Sequence, residues 1–378
     1  MTMRKFLSYL IGSVIGILIV APVIDYEIPV WVNSFHWCWT VTVCGMFGML
    51  LVTKKIHLSL KFLAVYLFAL CFISQCPYLS FNSYFIIVPC FYTFYWLQKS
   101  DFNVVINFIE AAFWLEVVLT IFQLMGHDTL MNFDRSEKVF LGTVMQYMRF
   151  ASVLAVMSPF LLIKSKWYVM PLVILCVISK SSTFALALIS GVGTWGFLTF
   201  GKRIRWIVLI GILILVSLYL VYDWGSFRGA VIPSNGGRII SWINVVQTWI
   251  MDTSKDLSYP MLEGPVNWKW VFFGHGTDTF LPLFPVYKHD INPFPQAHND
   301  WLQLGWETGL VGLGLILWYV VQLIRKLYRY GEYEYVSGAV CISVVMFFAF
   351  PMRMTQSILL IVAYLAFCQT RINKLRSF

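Results

Sequence analysis

The chain has 378 residues, of which 59% are hydrophobic, 18% aromatic and only 12% charged. A soluble core could not bury this much apolar surface, whereas a bilayer can, because runs of about 20 apolar residues recur along the chain. The formal net charge of +9 comes from short basic clusters between these runs and not from a continuous stripe, which favours membrane topology over nucleic-acid binding. We therefore expect an all-α polytopic membrane protein without a nucleic-acid partner.

The apolar runs predict about twelve transmembrane helices. In chain order they are expected at residues 6–24, 31–53, 58–75, 80–97, 103–125, 142–163, 167–179, 182–200, 206–222, 299–324, 336–350 and 355–370. The first run follows Arg4 and Lys5 and lacks a small-residue cleavage site, so we interpret it as an uncleaved first helix.

The basic clusters predict the orientation of these helices. When the helices alternate from a cytoplasmic N terminus, one face receives the clusters at residues 54–55, 99, 164–166, 202–205, 325–329 and 371–376. Two short connections on the opposite face, "DYEIP" and "CPYL", contain no Lys or Arg. Because positive charge accumulates on the cytoplasmic side, both termini are expected in the cytoplasm.

Four segments follow from this pattern. They are N-terminal helices (residues 1–141), helices carrying Arg149 and Lys180 (142–222), one large extracytoplasmic loop (223–298) and C-terminal helices (299–378). A loop this long in a compact membrane protein is usually functional.

Within the loop, "PSNGGRIISWINVVQTWI" predicts an amphipathic helix that is capped by Ser234 or Asn235. Arg238 falls in its first turn, where a guanidinium beside free backbone N–H groups suits phosphate oxygens. An arginine that merely reaches the membrane interface is the alternative. The later stretch "FFGHGTDTF" predicts a tight turn at Gly274 and Gly276, whose backbone donors could cradle an anion.

Two further cations lie outside the loop. Arg149 falls within a predicted span and needs a partner, which Glu110 or Glu116 could supply; a purely structural ion pair is equally consistent with the sequence. Lys180 lies on the outer face, where basic residues should be scarce. The spacing of the loop histidines matches no compact zinc motif, so no metal site is expected.

The stretch "PFPQAHNDWLQLGWETGLVG" places His298 at the outer end of the next span, where Asn299 or Asp300 can cap the helix. At about 100° per residue, Gly305, Gly309 and Gly312 follow on the same face as His298 and let a neighbouring helix approach closely. The positive end of the helix favours a neutral imidazole, which can accept a proton. A histidine that only hydrogen-bonds at the interface is the alternative, and Glu307, about half a turn away, is expected to be structural.

In combination, these motifs resemble the O-antigen ligase and O-antigen polymerase superfamily of bacterial membrane proteins. "HNDWLQLGWETGLVG" is similar to its signature after the large periplasmic loop, with His298-Asn299, nine residues, Gly309 and Gly312. "GGRIISWINVVQTW" resembles its loop arginine segment, and "FFGHGTDTF" its glycine turn. "SKSSTFALALISG" resembles its Ser-Arg segment, but Lys180 stands where an arginine is expected.

The resemblance implies an inverting, metal-independent glycosyltransferase without a cofactor, in the bacterial inner (plasma) membrane, with its site on the periplasmic or extracellular side. The donor would be a glycan on polyprenyl diphosphate and the acceptor a lipid A core sugar, as in a ligase, or a second lipid-linked glycan, as in an O-antigen or capsule polymerase. His298 would be the catalytic base, and Arg238 would assist catalysis and bind diphosphate. Lys180, Arg149, Gly274 and Gly276 would also bind diphosphate, while Asn299, Gly305, Gly309 and Gly312 would be structural. A transporter or flippase is the alternative of another class.

Overall fold

The computed structural model describes residues 3–20, 58–77, 80, 90, 93–125, 147–179, 181–201, 234–250, 266–280, 283–284, 297–349 and 351–376. Across these ranges the chain is 87% helical and forms no strand, which confirms the all-α class.

Eleven α-helices have both ends defined within these ranges. They are α1 (Met3–Val20), α2 (Leu58–Ile73), α3 (Phe102–Leu124), α4 (Tyr147–Lys164), α5 (Val169–Ser179), α6 (Ser182–Thr199), α7 (Ser234–Ile250), α8 (Trp268–Phe273), α9 (Asp300–Arg329), α10 (Tyr333–Phe348) and α11 (Thr355–Leu375). Short 3-10 turns, Lys166–Tyr168 and Pro351–Arg353, precede α5 and α11.

Four of these helices are long and apolar enough to cross a membrane. They are α3, α6, α9 and the Ser357–Leu375 part of α11. The four helices indicate a membrane protein, and several shorter apolar helices fall where spans are predicted. The predicted spans 31–53 and 206–222, and most of 80–97, lie outside the described residues, so the total of about twelve stays a prediction.

The described residues fall into two compact units. The first unit contains α1, α3 to α6, the end of α9, α10 and α11, and the second contains α2, α7, α8 and α9 up to Gln322. In the first unit, α10 packs against α4 and α6, while α1 packs against α3. Small residues permit this packing: a Cβ on Gly191 of α6 would lie 3.0 Å from Cys341 Cβ of α10.

One buried hydrophobic cluster of the second unit contains two tryptophans. Its residues are Val245, Trp249, Phe280, Phe284, Ala297 and Trp306. The indole of Trp249 also donates to the Trp270 carbonyl at 3.0 Å, and a Cβ on Gly305 would lie 2.6 Å from the Trp249 ring. Gly305 therefore allows the close helix approach expected of it, and the neighbour is α7.

Helix α9 differs from the continuous helix that the glycine stripe assumed. It begins at Asp300, and Gly309 interrupts it with φ 64° and ψ −176°, a conformation essentially restricted to glycine. Because the helix is interrupted at Gly309, the 100° rotation per residue does not continue from His298 to Gly312. The prediction that His298, Gly309 and Gly312 share one helix face therefore does not apply. Gly309 instead lies against the end of α8, where an added Cβ would be 2.2 Å from the Phe272 carbonyl oxygen.

Candidate functional site

His298 occupies a constrained position immediately before α9. It is half-buried, and its φ of 51° lies in the left-handed region that few residues other than glycine adopt. The preceding residue is held from α7, because the Trp242 indole N–H donates to the Ala297 carbonyl at 2.8 Å. Left-handed backbone at a non-glycine residue costs about 1–3 kcal/mol and is found preferentially at functional sites.

Asn299 caps α9, as one of the two predicted capping residues. Its side-chain oxygen accepts from the Leu302 backbone N–H at 3.0 Å. The other end of the same amide, Nδ2, is buried and bonds to no group in the described part of the chain. The Oδ1 atom of Asn299 therefore caps α9, while its Nδ2 is a buried donor without a partner among the described residues.

Helix α7 supplies further unsatisfied amide atoms. Asn244 is fully buried, yet neither its Oδ1 nor its Nδ2 has a hydrogen-bond partner among the described residues, and the same holds for Gln247 Oε1. Thr248, one turn after Asn244, donates to the Asn244 carbonyl at 2.8 Å and accepts from the Trp306 indole at 3.1 Å. Asn244 therefore lies on the side of α7 that faces α9.

Sequence reasoning missed these residues of α7, although the sequence contained a signal. In "INVVQTW", the polar residues Asn244, Gln247 and Thr248 recur at helical spacing among aromatic and aliphatic side chains. A polar stripe on the face of a helix that also carries core tryptophans marks polar groups that become buried.

His275, in the glycine turn, joins three elements of the second unit. Its ring stacks between Trp270 and Trp306, with ring centroids 4.8 Å and 4.0 Å away. Its Nε2 lies 3.2 Å from the Thr248 carbonyl, which can only accept, and its Nδ1 lies 3.2 Å from the side-chain amide of Gln75. Burial lowers the pKa of His275 to about 3; the bond to Thr248 opposes this shift and the charge of Lys269 adds to it. With this pKa the imidazole is neutral near pH 7 and donates from one nitrogen only; the tautomer with the proton on Nε2 bonds to the Thr248 carbonyl.

The glycine turn uses its backbone donors inside the protein. Gly274 N donates to Trp270, His275 N to Trp306 and Gly276 N to Glu307, at 2.8, 3.0 and 2.9 Å. These three donors are therefore engaged, so a cradle for an anion would need other groups. The diphosphate-binding role of Gly274 and Gly276 stays a prediction, while their observed role is to fit the turn against α9.

Close packing explains why both positions are glycines. A Cβ on Gly274 would lie 2.4 Å from the Glu307 carbonyl oxygen, and one on Gly276 would lie 1.9 Å from Ser74 Oγ. Both residues also have positive φ, 71° and 114°. Glu307 has the structural role expected of it, since its backbone carbonyl holds Gly276 and its carboxylate accepts from Gln303 Nε2 at 3.3 Å.

The structure describes the predicted cations only in part. Arg238 lies in α7 as its fifth residue, slightly beyond the predicted first turn, and Arg149 lies in α4; the side chains of both, and all of Lys180, fall outside the described residues. Glu110, one suggested partner of Arg149, pairs with Lys164 and the Tyr168 hydroxyl, and its predicted pairing with Arg149 stays a prediction.

The chain matches no protein-family model and no curated protein. The resemblance to the O-antigen ligase and polymerase superfamily therefore rests on the quoted motifs.

Proposed function

We propose that the chain is an O-antigen ligase-like glycosyltransferase that moves a glycan from polyprenyl diphosphate to a sugar hydroxyl with inversion. The main support is half-buried His298, which lies in left-handed backbone at the start of α9 and precedes Asn299, whose Nδ2 has no hydrogen-bond partner among the described residues. Strained backbone persists where the surrounding structure holds it, and such positions concentrate at catalytic sites. The resemblance of the motifs supports the reaction class.

In the proposed reaction, the acceptor hydroxyl attacks the anomeric carbon while the bond from that carbon to the diphosphate oxygen breaks. The acceptor proton passes to His298, and the bonding electrons leave with polyprenyl diphosphate. General base catalysis of this kind contributes about 10²- to 10⁴-fold. Arg238 would neutralise the developing negative charge, with Lys180 and Arg149 as further diphosphate-binding cations.

The proposal includes the finer topology predicted from the sequence. About twelve spans would place both termini in the cytoplasm of a bacterial inner membrane and His298 on the opposite side. The donor diphosphate would then lie at the outer membrane surface, where the prenyl chain can remain in lipid. We favour a lipid A core acceptor, as in a ligase; a polymerase would use the same chemistry on a second lipid-linked glycan.

A transfer assay tests the proposal. The purified full-length protein is given a polyprenyl-diphosphate glycan and either lipid A core or more of the same donor, and the products are separated by size. One discrete shift of lipid A core indicates a ligase, and a ladder on the prenyl carrier indicates a polymerase. No product with either acceptor, from protein whose melting transition shows it to be folded, rejects the glycosyltransferase and favours the transporter.

A further inference from the structure

The amide cluster of Asn244, Gln247 and Asn299 has a property that the proposed base and cations do not explain. Asn244 is fully buried and Asn299 is 1% exposed, yet atoms of both amides lack hydrogen-bond partners throughout the described residues. A buried polar group without a partner is destabilising, and native proteins keep few of them. A sequence that only needed a helix contact here could place leucine at residue 244.

Three contacts locate Asn244 relative to His298. Along α7, Trp242 bonds to Ala297, Thr248 bonds to Trp306, and the Trp249 ring packs on Gly305. The first contact joins residue 242 of α7 to residue 297, just before α9, and the other two join residues 248–249 of α7 to residues 305–306 of α9, so the two segments run side by side in the same general direction.

Asn244 lies between the first two of these contacts on α7. The corresponding stretch of α9 contains the start of the helix, where Asn299 follows His298. Asn244 and Asn299 are both buried, and these contacts place Asn244 on α7 near the level of the start of α9, where Asn299 follows His298.

The chemistry of the cluster selects one class of ligand. Asn244 and Asn299 offer N–H donors through Nδ2, while Asn244 Oδ1 and Gln247 Oε1 are acceptors, and none of the three side chains carries a charge. A phosphate only accepts hydrogen bonds, so it would leave both amide oxygens unpaired. A sugar hydroxyl both donates and accepts, and adjacent hydroxyls satisfy such a mixed set.

We propose that Asn244, together with Gln247 Oε1 and Asn299 Nδ2, binds hydroxyl groups of a saccharide next to His298. This inference rests on the proposed function, since it assigns the sugar-recognition part of that site to α7. Asn244 is a binding residue in this assignment and takes no proton.

The first test measures stability without a ligand. Asn244→Leu removes the unsatisfied amide at similar volume, so the Tm of the purified protein should stay unchanged or rise. Thr248→Val on the same face is the matched control, and it should lower Tm by several degrees because its hydroxyl is bonded to both Trp306 and the Asn244 carbonyl. A Tm loss in Asn244→Leu as large as that in Thr248→Val overturns the proposal, since the amide would then be structural.

The second test measures binding by tryptophan fluorescence. The probes are the oligosaccharide released from the donor lipid by mild acid and, separately, inorganic pyrophosphate. Asn244→Leu and Asn244→Ala should each weaken oligosaccharide binding by at least tenfold and leave pyrophosphate binding unchanged. Oligosaccharide binding within twofold of the wild type, equal weakening of both probes, or a wild-type protein that binds no oligosaccharide overturns the proposal.

The two hypotheses fail in different ways. If the wild type transfers glycan and Asn244→Leu transfers it at the same rate and KM, the saccharide role of Asn244 is overturned and the proposed function stands. If the wild type transfers nothing, the proposed function fails, while the oligosaccharide arm still decides whether the cluster binds sugar.

Discussion

The two units differ in how their buried polar atoms are hydrogen-bonded and in how many positive-φ residues they contain. In the first unit, charged side chains at helix ends form ion pairs: Lys164 with Glu110, Lys166 with Glu334, and Arg371 with Glu332. Unpartnered buried atoms do occur in its described part, but they are single atoms scattered over separate segments, on Gln98, Thr120, Ser357 and Arg371. In the second unit, such atoms concentrate on α7 and the start of α9.

Backbone conformation follows the same division. Of the six positive-φ positions within the described residues, only Gly331 belongs to the first unit, and the other five are Gly274, Gly276, Asp278, His298 and Gly309. Regular helices satisfy their own backbone, and Gly331 lies in the short connection between α9 and α10. The second unit combines positive-φ turns with buried amide atoms that lack partners among the described residues, and such costly features are expected where a protein has a functional site.

The largest effect is expected from His298→Asn. Asparagine tolerates left-handed backbone, so the fold should persist, but the amide cannot accept the acceptor proton. Transfer should fall about 10²- to 10⁴-fold, whereas Tm should change little. The rate of product formation measures the loss of transfer, and a melting curve on the same preparation measures the change in Tm. Wild-type turnover in this variant would remove His298 as the base and leave the left-handed backbone without a function.

The next effect concerns the glycine turn. Gly276→Ala forces a Cβ into left-handed backbone at φ 114° and to 1.9 Å from Ser74 Oγ, so unfolding should be easier by about 3 kcal/mol. Gly314→Ala is the matched control, because nothing lies within 4 Å of its added Cβ and alanine favours a helix. That control should keep or slightly raise Tm. Equal Tm values for the two variants would mean that the turn is not tightly packed.

A smaller, pH-dependent effect should come from His275. Its pKa is about 3 in the folded protein against an ordinary value of 6.5, so between these values the unfolded chain binds a proton that the folded chain does not. The stabilisation from neutral His275 is therefore complete above pH 6.5 and is lost as pH falls toward 3. At pH 5 the loss is on the order of 2 kcal/mol.

Melting curves from pH 7 to pH 4.5 test this sign. The wild-type Tm should fall over this range, and His275→Gln should be less stable at pH 7 but flatter with pH. Parallel pH profiles for the two proteins would assign the acid sensitivity to other groups.

Helices that correspond to one long apolar run could be predicted from the sequence. The predicted spans 103–125 and 182–200 match α3 and α6 within a residue or two, because each is a predominantly apolar run without proline. The break at Gly309 could not be read in the same way, since glycine is tolerated within transmembrane helices and only the approach of α8 requires the left-handed turn.

In the candidate site, too, local features could be predicted from the sequence, whereas features that depend on tertiary packing could not. The position of His298 at a helix start and the cap by Asn299 follow from local rules that residues 293–300 express. The roles of Asn244 and His275 depend on which helices pack together, and no local pattern specifies that the indole of Trp306 meets Thr248. Partners of ionisable groups are equally non-local, as the pairing of Glu110 with Lys164 demonstrates.

The smallest effect is expected from that ion pair in the first unit. The side chains of Lys164 and Glu110 are 33% and 25% exposed, so water screens their attraction, and Glu110→Gln should cost about 1 kcal/mol or less. Glycan transfer should be unchanged, because this pair fastens α4 to α3 and lies in the unit whose polar groups are largely satisfied. A double-mutant cycle with Lys164→Gln measures the coupling by Tm, and a transfer assay accompanies each variant. If Glu110→Gln reduced transfer while the melting curve stayed the same, Glu110 would act in transfer as well as in packing, and its predicted pairing with Arg149 would gain support.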